Sequence, residues 1–580
     1  MLKTLVFNPS DTTRGLLSED TAERQTDEAL MQRLAAQETL FSARMSRIAL
    51  HNVALPQINQ DKKAVVNVWR NHNFESIESF IRPFLAYSGW SAEFRTSAYD
   101  DSLSFLGHSP ADAEVIWLDS SRFEQMTKDE WIDWLRERLS ALRGMTTAPI
   151  ILATWCDSSD TVCALQTMTD TLVSVYFADI GATCLESDAP LIDSRSSNLA
   201  GTPLSSAAQL IIARKLACHW LPAVLQPPVK AVALDLDNTL HAGVLGEDGV
   251  EGVQLTPGHA RLQHHIKFLR KQGIFIALVS RNVLSDVEAL FTRREDYPLR
   301  WMDFSAVEVS WGDKAAALVR IAQTLCISTD AVLFVDDNPG ELASVAHHLP
   351  STPLLYADSD ATATQRALAF YPGLWRWRLD ETDTRRVNDL EAQAARASLA
   401  KGTESSQSYF HSLQVKIAFN YKPVTQLSRL SDLCRKTNQF NLSLRRFNEA
   451  ELALHLSRSD ACVASARLTD RFADSGVIAV LVATRHSDQL RIEELCISCR
   501  AMGRQLEDSI ILPLVRGMAL YSGCQTVAFQ VAHGPRNQPA LDWLAKLCGL
   551  SSPPEPGLCV VPVERFNAFT PLVEIIEIKE

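Results

Sequence analysis

Four short stretches of the 580-residue chain set acidic, hydroxyl and basic side chains where phosphate chemistry needs them. The first is "VKAVALDLDNTLHAGVLGEDG", residues 229–249, in which an apolar run delivers Asp235, Asp237 and Thr239. The second, "GIFIALVSRN", ends in Ser280, Arg281 and Asn282. The third, "SWGDKAAALVRIAQ", sets Lys314 at the start of a helix, and the fourth, "AVLFVDDNPGE", closes another apolar run with Asp336 and Asp337. A carboxylate nucleophile such as Asp235 splits monoester hydrolysis into two easier steps through an aspartyl-phosphate. Asp237, two residues on and on the same face of a strand, is placed to protonate the leaving oxygen and then to activate water. Carboxylates facing a dianionic phosphate repel it unless a divalent cation intervenes. Asp235, Asp336 and Asp337 are therefore the expected Mg2+ ligands, with Asp237 adding its backbone carbonyl. Ser280 and Lys314, with Thr239 and Asn282 from the same stretches, are the expected holders of the phosphate oxygens. A single strand-end aspartate is more often a helix cap, and a single lysine is usually solvated. The reading rests on all four stretches in this order.

A buried parallel strand reads as a short continuous apolar run, and ligands of open α/β sheets collect at the carboxyl ends of such strands. Residues 228–374 are therefore expected to form a Rossmann-like α/β core. Roughly forty residues separate Thr239 from Ser280 and roughly thirty separate Ser280 from Lys314, too few for a large cap domain. Water exclusion would then come from a neighbouring domain or a partner.

The chain is too long for one ordinary core, and three or so domains are expected. Residues 1–60 carry apolar positions at helical spacing and read as a helical arm. Across 61–227, strand-like "AVVNVWR", "AEVIWLD", "APIILATW" and "LVSVYFAD" alternate with helical stretches, which predicts a second α/β layer domain. It contains no Gly-Asp-Ser turn, no G-x-G-x-x-G and no P-loop, so it reads as noncatalytic. "QPP" at 226–228 punctuates its end, 375–412 reads as a charged helical linker, and 413–580 forms the last unit.

The composition, 46% hydrophobic and 22% charged with a formal charge of −13, is that of globular material. It argues against nucleic-acid binding and against an anionic membrane surface, both of which need basic fields. No apolar run reaches the length of a membrane span, and "MLKTLVFNPSDTT" lacks the features of a signal peptide, so a cytoplasmic location is expected. Twelve cysteines without framework spacing are then expected to be reduced. The single C-x-x-C, Cys496 to Cys499, has no second knuckle for zinc.

The order DxDxT, Ser, Lys, Asp-Asp resembles the haloacid-dehalogenase (HAD) superfamily of phosphotransferases. "DLDNTLHAGVLGEDG" with "FVDDNPGE" resembles its FkbH-type subfamily. In that subfamily a Trp-Gly follows the first motif, where this chain has His241 and Ala242, and the second motif is Ser-Lys-Asn, where this chain has Ser280, Arg281 and Asn282.

In "CISCRAMGRQLED", residues 496–508, an apolar strand gives way to Arg500, Gly503 and a helix expected from about Arg504. Backbone N–H groups at such a helix start suit phosphate, and Gly503 allows close approach. The turn resembles the pyrophosphate-binding turn of GNAT-type N-acetyltransferases, with Gln505 in place of its last small residue. Together with "RKTNQFNLSLRRFNEAEL", residues 435–452, it is similar to the last domain of FkbH-type proteins, while 61–227 resembles the SGNH-hydrolase-like domain of their longer members.

The resemblance implies an α/β multidomain protein, a HAD core flanked by SGNH-like and GNAT-like domains. It implies a small phosphorylated acyl donor, 1,3-bisphosphoglycerate, which loses its distal phosphate and gives its glyceryl group to a phosphopantetheinylated acyl carrier protein. Cys499, beside Arg500 and near a helix start, is the thiol offered to hold the acyl group, with a pKa expected below the free value of about 8.5. Asn438, Gln439 and Asn441 are candidates to orient the acyl hydroxyls or the pantetheine, or else to satisfy loop backbone. Arg500, Gly503 and Arg504 are the candidates for the carrier's phosphate. Two other functions fit the residues: a stand-alone Mg2+ phosphatase acting on a small phosphoester, and a noncatalytic scaffold that docks carrier proteins.

Overall fold

The apolar runs become strands wherever both faces are covered. The computed structural model describes residues 28–53, 63–193, 203–378 and 406–578 except Gly503, together with Asp389, Leu390, Ala392, Arg396 and Leu399. The first sheet has five parallel strands: β1 (Lys63–Arg70), β2 (Ser91–Tyr99), β3 (Ala113–Trp117), β4 (Ile150–Thr154) and β5 (Val175–Asp179), in the order β2-β1-β3-β4-β5. The second is also parallel, with β6 (Ala231–Leu234), β7 (Phe275–Ser280), β8 (Ala306–Val309), β9 (Val332–Asp336) and β10 (Leu354–Tyr356) in the order β10-β9-β6-β7-β8. Its central strand β6 is buried throughout.

Alternation along β6 sends Val232 and Leu234 to one side of this sheet and Ala231 and Ala233 to the other. The first pair joins a buried cluster continuous with the first sheet through Ile212, Leu216 and Trp220 of the helical segment 206–225. The second pair packs with Leu318 and Ile321 of helix Lys314–Thr324 and Leu342 of helix Pro339–His348. The described part of the arm, a helix over 28–40, ties the two sheets together: the Gln37 amide donates to the Tyr356 carbonyl at 2.8 Å and accepts from the Tyr87 hydroxyl at 3.3 Å.

The last unit is a seven-stranded mixed sheet of β11 (Lys416–Asn420), β12 (Ala461–Thr469), β13 (Asp474–His486), β14 (Gln489–Ile497), β15 (Thr526–Val531), β16 (Gly557–Pro562) and β17 (Glu574–Glu577), ordered β16-β15-β14-β13-β12-β11-β17. β14 and β15 pair in parallel only as far as Ile492 and Phe529. Beyond that point residues 440–442 enter between them: the Ile497 N–H donates to Phe440, and the N–H groups of Leu442 and Ala532 donate to Leu495 and Leu442.

The last unit docks on the amino-terminal edge of the second sheet. The Lys230 ammonium, one residue before β6, donates to the Lys436 carbonyl at 2.9 Å, and Arg536 meets Ser328, Asp330 and Ser351 just before β9 and β10. Among the described residues no helix is long and apolar enough to cross a membrane.

Candidate active site

β9, β6 and β7 are neighbours, so their carboxyl ends bring Asp336, Asp235 and Ser280 side by side. After Leu234 the chain turns at once. Asn238 takes a left-handed conformation (φ 53°), which a short amide side chain tolerates, and its carboxamide oxygen accepts the Gly243 N–H at 3.1 Å. Gly243 itself is required: it has φ 103°, and a Cβ there would stand 2.5 Å from an Asp248 carboxylate oxygen. An antiparallel bridge between Ala242 and Gln254 closes this loop into a small flap. Lys314 opens its helix directly after the Asp313 cap, whose carboxylate accepts the Ala316 N–H at 2.9 Å.

The centre is buried and already bonded. The Lys314 ammonium donates to Asp235 at 2.8 Å and to Asp336 at 2.7 Å, while Asp336 also accepts the Asn338 N–H at 2.8 Å. Asn282 donates to Asp237 at 2.8 Å and to the Ser280 hydroxyl at 3.0 Å. Asp237 further accepts the Leu245 N–H at 2.9 Å, and the His241 Nε2 lies 3.3 Å from the same carboxylate oxygen. Thr239 is buried, and its hydroxyl has no partner among the described residues.

These contacts separate the carboxylates electrically. Burial pushes the Asp235 carboxyl up to about 8; Lys314 pulls against it, and Asp336 and Asp337 add to the rise. Burial also raises Asp337, helped by Asp336. For Asp237 burial again pushes upward, but hydrogen bonds from His241, the Leu245 N–H and Asn282 outweigh it and hold the carboxyl below its ordinary range. Burial lowers the Lys314 pKa, and the two adjacent carboxylates outweigh that and raise it, so the ammonium keeps its proton.

One oxygen from each of Asp235, Asp336 and Asp337 lies within 4.8 Å of the other two. An all-oxygen, anionic set of that span suits a hard divalent cation such as Mg2+, and coordination would hold Asp235 ionised against the effect of burial.

Two neighbours of this centre carried no separate signal. His241 stood out only as a departure from Trp-Gly, yet it is fully buried against Asp237. Trp311 is 72% exposed on the loop whose Ser310 N–H donates to the Ser280 carbonyl, three residues before Lys314. Arg281 pairs with Glu341 at 2.7 Å.

The residues expected to handle the acyl thiol divide. Cys499, Arg500, Asn438 and Gln439 line one cleft of about 80 Å3 between the last unit and the loops before β6 and β9, which contribute Lys230 and Asp330. Asn441 lies within the segment between β14 and β15, where its carboxamide oxygen accepts the Leu444 N–H at 2.7 Å and its carbonyl accepts from Asn537. Its polar groups are used by the loop. Arg504 pairs with Asp389 at 3.1 Å and Asp470 at 3.2 Å, away from the cleft. Gly503 lies outside the described residues. The helix starts at Glu507, later than Arg504, because Gln505 is left-handed (φ 56°) and breaks the helical path. Cys496 is buried, its thiol 2.8 Å from Glu494.

The cleft with Cys499 opens at the amino end of β6 and the aspartates at its carboxyl end. The last unit therefore does not cover the Asp235 centre.

No family model matches the sequence, and no curated protein matches it. Among solved structures, the chain is similar to the N-terminal part of a Bacteroides fragilis protein containing a phosphatase domain complexed with Mg, at 18% identity over 59% of this chain and 99% of that one, with a TM-score of 0.44. It is also similar to 3-deoxy-D-manno-octulosonate 8-phosphate phosphatase from Moraxella catarrhalis, in complex with magnesium, phosphate and KDO, at 16% identity over 30% of this chain and 94% of that one, with a TM-score of 0.16.

Proposed function

We propose that this chain is a Mg2+-dependent phosphatase of HAD type whose second site passes an acyl unit to a carrier thiol. The observation that carries the reading is the buried Asp235–Lys314–Asp336 triad beside a separately bonded Asp237. A carboxylate oxygen of Asp235 attacks phosphorus, the bond from phosphorus to the substrate oxygen breaks, and Asp237 gives that oxygen its proton. A phosphate dianion arriving beside Asp237 raises its proton affinity, which readies it for this role. Asp237 then takes a proton from the water that cleaves the aspartyl-phosphate, and inorganic phosphate leaves. Ser280 and Lys314 hold the phosphate oxygens. Asp235, Asp336 and Asp337 would hold Mg2+, whose charge offsets that of the phosphate.

In its finer form the reading takes 1,3-bisphosphoglycerate as donor and a phosphopantetheinylated acyl carrier protein as acceptor. The Cys499 thiolate attacks the acyl carbon and displaces its phosphate, and the carrier thiol then displaces Cys499. Five residues of extended chain, roughly 16 Å, separate Lys230 at the cleft from Asp235. Thiol transfer and removal of the distal phosphate are then separate visits, with the carrier bearing the unit between them.

The test is intact-protein mass spectrometry of the carrier after incubation with enzyme, Mg2+ and freshly generated 1,3-bisphosphoglycerate. A glyceryl mass is expected, replaced by phosphoglyceryl with Asp235→Asn; an unmodified carrier with free phosphate overturns the transfer. One observation favours a second reading, a stand-alone phosphatase acting on a small phosphoester: the last unit lies away from Asp235. That reading predicts turnover without carrier and indifference to Cys499→Ala.

A further inference from the structure

Proton transfer by Asp237 uses one of its two oxygens. The last torsion of an aspartate is broad, so which oxygen meets the substrate depends on what holds the other. Asn282 bridges the Oδ2 of Asp237, at 2.8 Å, to the Ser280 hydroxyl, at 3.0 Å, which sets Oδ2 on the side expected to hold phosphate. Oδ1 is held by two donors of the flap, the Leu245 N–H at 2.9 Å and the His241 Nε2 at 3.3 Å.

The side chain of His241 is fully buried, its ring lies beside Tyr297 with centroids 6.2 Å apart, and its Nδ1 has no partner among the described residues. An apolar residue would fill the same space without an unpaired buried polar atom, which costs free energy. Among the described residues the ring's hydrogen bond is the one with Asp237. Because Nε2 faces a carboxylate oxygen, it is the nitrogen that carries the hydrogen. The chain on either side of the ring is fixed: the buried Gln263 amide donates to the Leu240 carbonyl at 2.8 Å, and Ala242 exchanges N–H···O bonds of 2.9 and 2.8 Å with Gln254. His241 is thus a rigidly mounted donor aimed at the oxygen that Asp237 does not offer to the phosphate.

We propose that His241 is a positioning residue for Asp237: by holding Oδ1 from the flap, it keeps Oδ2, the oxygen that transfers the proton, turned toward the leaving oxygen. Without it the Leu245 N–H is the flap's one tether on the carboxylate, and a single bond fixes a position better than a direction. The inference rests on the phosphatase reading and deepens it. His241 matters in proportion to the proton that the leaving oxygen requires.

The test is kcat/KM of the full chain with Mg2+ on p-nitrophenyl phosphate and phenyl phosphate, two esters of similar shape, of which the second needs the proton more. His241→Leu should lower kcat/KM by about threefold on the first and about thirtyfold on the second, because misdirecting an acid removes part of its contribution of about 10^2 to 10^4. His241→Gln, whose amide N–H2 reaches about as far as Nε2, should recover most of the loss on phenyl phosphate. In an Asp237→Asn background, His241→Leu should cost less than about twofold more on either ester, since residues that act as a unit are not additive. Equal losses on the two esters, no recovery with His241→Gln, or the same loss in both backgrounds would reduce His241 to a packing residue and overturn the proposal while leaving the phosphatase reading intact. Wild-type turnover that is absent, or that survives Asp235→Asn, would overturn both.

Discussion

The Asp235 centre and the Cys499 cleft share the strand β6 and almost nothing else. The first belongs to one domain, buries Asp235, Asp336 and Lys314, and has its cation bonded to both of those aspartates before any ligand arrives. The second lies between two domains and takes its walls from loops and from the helix Leu427–Lys436. Pre-bonded charge in a largely buried site is what electrostatic catalysis needs, because little has to reorganise when the reaction begins. An open seam between domains is what a long, flexible partner needs. The contrast agrees with the proposal of phosphate-ester cleavage at the first site and thiol transfer at the second.

The largest break in that comparison comes from Asp235→Asn, which keeps the shape and a bond to Lys314 but removes the nucleophile. Phosphate release from a small phosphate monoester should fall by about 10^3-fold or more. A loss smaller than tenfold would deny the centre its role. Cys499→Ala sharpens the contrast from the other side. Carrier loading, read by intact mass, should vanish while phosphate release stays within about twofold.

Lys314→Met removes the ammonium that Asp235 and Asp336 share and leaves the buried acidic pair with no cation between them. Urea melts in EDTA should show a loss of about 3–5 kcal/mol, the range for breaking a buried pair, with part of it recovered when Mg2+ replaces the missing charge. The raised pKa of Asp235, about 8, gives a further signature in the metal-free protein. Below that value the carboxyl carries a proton that a cation must expel. Mg2+ affinity should therefore climb as pH rises toward 8, by up to about tenfold per unit, and level off above it. Calorimetry at pH 7 in buffers of different ionisation enthalpy should show about one proton released. The smallest effect belongs to the loop before Lys314: Trp311→Ala should raise KM about two- to tenfold with kcat unchanged, as loss of an aromatic contact would.

The acid centre could be read from the chain because Asp235, Ser280 and Asp336 each close a run buried on both faces, and continuous apolar runs are hard to misread. β2 carried no such signal: an edge strand of polar residues, largely exposed, has no apolar run to betray it. The start of the helix at Glu507 was misplaced because a left-handed glutamine at 505 is a matter of backbone conformation that residue type does not announce. His241 was visible as a residue but not as a bond, since its contact depends on the flap closing around Asp237. The position of the last unit was the least legible feature. Beside the Arg536–Asp330 ion pair, its docking uses the main-chain carbonyls of Lys436 and Gln226, which any residue would offer.

Lys314 reaches back 79 residues to Asp235 and forward 22 to Asp336. The centre therefore cannot exist in any shorter piece of the domain, nor in a collapsed intermediate that has not yet inserted β9 beside β6. Closing loops of that length is an entropic cost met by the hydrophobic strands well before the charges meet. In refolding, a metal-binding signal should accordingly lag behind the return of secondary structure. A chain released from the ribosome before Asp336 would carry a nucleophile and a cation with no third partner to hold them together.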